Sequence, residues 1–71
     1  MSEPIRVRVN GELREVARDT SIASLLLGVT NEIGAAVARN REVVPWLQWA
    51  LTFLDDGDEV EIVRPVQGGA W

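Results

Sequence analysis

The chain has 71 residues, 46% of them hydrophobic, and its 11 acidic residues outnumber seven arginines for a formal charge of -4. That length allows one domain with a core near the lower limit of self-sufficiency, and the charge excludes a nucleic-acid backbone binder while suiting a partner with a basic docking surface. Cysteine, histidine and lysine are absent, so disulfides, thiol catalysis, thiolate metal sites, imidazole general bases and Schiff-base nucleophiles are excluded, and a protein that is not itself an enzyme is expected.

The first run, IRVRV, alternates apolar Ile5, Val7 and Val9 with Arg6 and Arg8, the pattern of a strand with one buried face. Asn10-Gly11 then signals a hairpin, because a type I′ turn needs positive φ at both central residues. A second strand is expected from about Glu12 to Ala17. Neither phase of Leu13, Arg14, Glu15 and Val16 gives a clean apolar face, which suits an edge position or a bulge.

Asp19, Thr20 and Ser21 offer N-cap oxygens ahead of Ile22, Leu25, Leu26 and Val29, spaced as one face of a short helix. Gly28 and Thr30-Asn31 close it. Gly34 is expected to open a third strand, GAAVARN, that ends on the turn-forming Asn40-Arg41. Arg39 and Arg41 beside that turn are read as solvated charges.

Val43 and Val44 give a brief fourth strand before Pro45. The segment WLQWALTFL has no periodicity that chooses between a one-turn helix and irregular backbone. Within it Trp49 is assigned to the core, while Trp46, between Pro45 and Leu47, is a candidate docking anchor. Asp55-Asp56-Gly57-Asp58 is a solvated tight turn without the spacing or closing glutamate of an EF-hand. In EVEIV, Val60 and Ile62 alternate with Glu59 and Glu61, and pairing with the first strand would set these glutamates beside Arg6 and Arg8.

The order strand, strand, helix, strand, short strand, strand predicts an α+β fold. The helix crosses one face of a mixed sheet, and the last strand lies parallel to the first, which is the β-grasp arrangement. No stretch is long and apolar enough to span a bilayer and no leader precedes the first strand, so a cytoplasmic protein with no membrane or nucleic-acid partner is expected. Domain limits are set at 1–65 for the β-grasp body and 66–71 for a flexible tail, because two glycines raise the cost of ordering it.

VNGE, TSIASLL, GAAVARNREVVP, QWA, DDGDEVEIV and a terminal diglycine follow one another over nearly the whole chain. In that order and spacing they resemble the ubiquitin-like sulfur carriers, most closely the ThiS type. The resemblance implies a protein co-substrate whose C-terminal glycine is adenylated by an adenylyltransferase of the ubiquitin-activating type and converted to a thiocarboxylate. Gly68 and Gly69 match the pair, with Gly69 the attachment point, and Arg64, Pro65, Val66 and Gln67 lead into it as partner-binding residues. Implied partners are a thiazole synthase or other sulfur acceptor, and a sulfur donor such as a cysteine desulfurase or rhodanese.

Ala70 and Trp71 depart from the family's ending and read as residues to be removed by processing, with a metallopeptidase as the trimming partner. Thiamine thiazole synthesis is the first pathway expected. Carriers of cysteine or natural-product synthesis, the small subunit of a molybdopterin synthase, and a β-grasp interaction module that carries no group are the alternatives.

Overall fold

The computed structural model describes residues 3–29 and 34–64. Five strands form one mixed sheet: β1 (Ile5–Val9), β2 (Glu12–Val16), β3 (Ala36–Arg39), β4 (Glu42–Val43) and β5 (Glu59–Val63), in the order β2-β1-β5-β3-β4. The first and last strands in sequence lie side by side and parallel, and every other pairing is antiparallel. This is the expected β-grasp order, and it puts β5 at the centre of the sheet.

Alternation sets the two faces. Ile5, Val7, Val9, Val37, Val60 and Ile62 are buried on one side, where Ile22, Leu25 and Leu26 of helix α1 (Ile22–Leu27) and Leu54 complete the core. The Ser21 side chain caps α1 by accepting from the Ser24 N–H. Backbone bonds from Ile22 to Thr52 and from Leu54 to Thr20, both 2.9 Å, tie the start of the helix to the segment beneath it. Leu25→Ala should cost about 2–4 kcal/mol through the cavity it leaves; a urea melt with an unchanged midpoint would remove Leu25 from this core.

The Asn10-Gly11 turn has φ of 51° and 84°, the type I′ geometry its sequence requires. Its second strand is indeed at the edge. Opposite Ile5, Val7 and Val9 stand Val16, Arg14 and Glu12; of these three only Val16 is partly buried, so the core does not reach beneath the outer part of β2 and polar residues are tolerated there.

Several expectations need correction. Helix α1 stops at Leu27, and Val29, although packed against the core, lies beyond it. Gly34 has φ of 93°, outside strand geometry, so β3 begins at Ala36. The fourth strand is Glu42–Val43, and Val44 follows it as a partly buried residue. WLQWAL, residues Trp46–Leu51, forms a 3-10 helix. Arg8 lies in register with Glu59 as expected, but the described residues show no ion pair between them, and Arg6 instead approaches Glu15 at 3.9 Å across the β1–β2 pair.

Candidate functional site

Strand β5 delivers the chain to the expected site. Val60 and Ile62 are buried while Glu59, Glu61, Val63 and Arg64 face solvent, so the strand is fixed by its core side and exposed on the other. Arg64 is the last described residue. Pro65, Val66, Gln67, Gly68, Gly69, Ala70 and Trp71, the remaining expected site and processing residues, lie outside the described residues, as does the tail division at 66.

The turn that starts β5 is exposed at Asp55, Asp56 and Gly57, as expected, but its last residue is not. Asp58 is only 6% exposed, and its carboxylate accepts from the Arg39 Nε at 2.8 Å, the Asn40 Nδ2 at 3.0 Å and the Asp55 backbone N–H at 2.8 Å. Burial pushes the carboxyl pKa up. The Asp55 N–H, the Asn40 amide and the Arg39 guanidinium outweigh that effect and hold it below the ordinary carboxylate value. Asp56 has its own task, accepting from the Arg6 backbone N–H at 2.8 Å.

Arg39 is therefore misread as a solvated charge. It is the basic partner of Asp58 and also reaches Asp55 at 3.1 Å, joining the end of β3 to the start of β5. Arg41 is exposed as expected, in a positive-φ turn with Asn40. The sequence signal for this cluster was present in Asn40 and the aspartates, but nothing local linked residues 39 and 58. Among the described residues no three metal-ligating side chains converge.

The two internal tryptophans separate as their neighbours imply. Trp49 is partly buried against the core, and its indole N–H donates to the Val44 carbonyl at 2.8 Å, which satisfies the polar end of a packed ring. Trp46 begins the 3-10 helix after Pro45 and is 71% exposed, with Leu47 at 78% and Leu51 at 77% on the same short element. Three large apolar residues left in water on six positions of backbone are a candidate contact surface.

Comparison with known proteins agrees with this architecture. The ThiS family matches residues 7–69 of the chain. The sulfur carrier protein ThiS of Escherichia coli is 29% identical over 66 residues, covering 92% of this chain and 100% of that protein. A thiazole synthase of Paramagnetospirillum magneticum is 37% identical over 68 residues, or 93% of this chain, which spans 21% of that relative's length. The crystal structure of the thiamine biosynthesis protein ThiS from Geobacter metallireducens superposes with a TM-score of 0.76 at 30% identity, covering 92% of this chain and 100% of that one.

Proposed function

Because the chain belongs to the ThiS family of sulfur carriers, we propose that it bears its sulfur as a thiocarboxylate on Gly69, as a protein co-substrate rather than a catalyst. The observation that carries this reading is a family match that runs through the sheet and ends on Gly69 itself. A carboxylate oxygen of Gly69 attacks the α-phosphorus of ATP held by an activating enzyme of the ubiquitin-activating type, and pyrophosphate leaves. Hydrosulfide then attacks the acyl carbon, AMP departs with the bridging oxygen, and the thiocarboxylate remains. When a cysteine desulfurase or rhodanese supplies the sulfur as a persulfide, the same attack gives an acyl disulfide. A second thiol must then reduce its S–S bond, becoming a disulfide itself, to release the thiocarboxylate.

The chemistry asks little of the body and much of the tail. A terminus that must enter another protein's nucleotide site needs a narrow backbone, and Gly68 and Gly69 lack the Cβ that would obstruct it. The charge of -4 suits a basic docking surface on the enzyme. With no cysteine in the chain, sulfur cannot ride on it as a persulfide. The thiazole synthase among the relatives supports thiamine thiazole synthesis as the destination, with a synthase of that class as acceptor.

Pyrophosphate exchange tests the reading. With ATP, magnesium and the activating enzyme, a chain ending at Gly69 should return labelled pyrophosphate to ATP. An interaction module that carries no group would give no exchange, however tightly it bound.

Trp46, Arg64 and residues 65–67 are the proposed contacts with that enzyme. Trp46→Ala should change stability by less than about 0.5 kcal/mol, since the ring is exposed, yet weaken enzyme binding about tenfold, as removal of an interface aromatic does. Unchanged affinity by calorimetry would exclude Trp46 from the contact.

A further inference from the structure

Strand β1 ends before β5 does. The backbone ladder between them runs from the Arg8 N–H to the Asp58 carbonyl and from the Asn10 N–H to the Val60 carbonyl, each 2.9 Å, and β1 then turns away into the hairpin. A continued strand would next pair with Ile62. That pairing is supplied by the side chain of Asn10: its Oδ1 accepts from the Ile62 N–H at 2.8 Å, and its Nδ2 donates to the Ile62 carbonyl at 3.2 Å.

A carboxamide carries the same donor and acceptor as a peptide group, so it can stand in for one more residue of strand. Positive φ at Asn10 turns the backbone away while the side chain remains beside β5, a conformation asparagine tolerates better than most residues. Without the amide, both polar groups of Ile62 on this side would lose their partner two residues before Arg64. On the opposite side of β5, Asn40 does a related task at the strand's other end, accepting from the Glu59 N–H at 2.9 Å and donating to Asp58 at 3.0 Å.

We propose that Asn10 is a positioning residue for sulfur activation: its side chain holds the end of β5 in the sheet and so fixes the place from which the tail departs toward the activating enzyme. The claim rests on the sulfur-carrier reading for its consequence, while the clamp itself can be observed without any enzyme. Loosening the last residues of β5 would make the orientation of the strand's end less defined and lower the fraction of encounters in which Gly69 enters the nucleotide site.

Asn10→Gly keeps the positive-φ turn and deletes the amide, and Asn40→Gly serves as a control that loosens the start of β5 instead. In chains ending at Gly69, Asn10→Gly should speed amide exchange at Ile62 about tenfold more than at buried Val7, and raise the KM for the activating enzyme severalfold with kcat kept. Asn40→Gly should leave KM near that of the unsubstituted chain at a temperature where circular dichroism shows all three folded.

Asn10→Asp keeps the acceptor but sets a second oxygen against the Ile62 carbonyl, and should give the same KM effect. Unchanged Ile62 exchange in Asn10→Gly would overturn the clamp. Faster exchange with an unchanged KM, or an equal KM rise in Asn40→Gly, would overturn the positioning role while leaving the carrier reading intact. No activation of the unsubstituted chain would defeat that reading and the positioning role with it.

Discussion

A chain ending at Gly69 should be adenylated at least about 100-fold faster than one that continues through Ala70 and Trp71. In the longer chain the Gly69 carbonyl is part of a peptide bond and presents no charged oxygen to phosphorus. A carboxylate on residue 71 is no substitute, because two residues at full extension displace it by up to ~7 Å, and a displacement of ~1 Å can already cost ~100-fold. The indole of Trp71 adds bulk to a passage that glycine would suit. The comparison is made by pyrophosphate exchange on both chains, with intact mass checked afterwards. Equal rates from a longer chain that has kept Ala70 and Trp71 would mean that these residues do not block activation.

Asp58→Ala should destabilise the fold by about 2–3 kcal/mol, as expected when several donors lose a largely buried, charged acceptor. The substitution strips Arg39, Asn40 and the Asp55 N–H of a common acceptor and leaves the guanidinium with Asp55 alone. The same group predicts an acid dependence with a definite sign. Its folded pKa is depressed, so the carboxylate's contribution is fully present above the unfolded value of about 3.9 and is lost as pH falls through the lower folded value. Asp58→Asn should therefore be less stable than the parent at pH 7, with the gap narrowing below about pH 4. Urea midpoints for the two proteins that remain equally separated down to pH 2 would contradict this account of the turn.

Much of the fold was written in short-range pattern. The alternation of Ile5, Val7 and Val9 and of Val60 and Ile62 marks two half-buried strands, and Asn10-Gly11 specifies its turn by backbone geometry alone. Gly34 misled because a small apolar run reads as strand whether or not its first residue has positive φ. The errors at Arg39 and Asp58 have another origin. Their partner is 19 positions away, and at that separation an arginine beside a turn and an aspartate within one both carry the signature of solvated charge.

The candidate site divides in the same way. Gly68 and Gly69 stand out as a motif, and Trp46, between Pro45 and Leu47, is a candidate docking anchor that proves exposed. The side-chain bonds of Asn10 span 52 positions, and a residue already explained by its turn gives no sign of a second task. Long-range polar contacts of this kind depend on sheet order, which pairs the first hairpin with the end of the last strand.

The most direct measurement of the central claim is the mass of the C-terminal fragment after activation. A chain ending at Gly69 is incubated with ATP, magnesium, sulfide and the activating enzyme, analysed intact, then cleaved by trypsin after Arg41, since Pro65 protects the bond after Arg64, and the C-terminal peptide is fragmented. The account predicts replacement of one oxygen by sulfur, confined to the Gly69 carboxyl and dependent on ATP. An unmodified carboxyl under conditions in which the enzyme activates its own carrier, or sulfur found elsewhere in the chain, would contradict it.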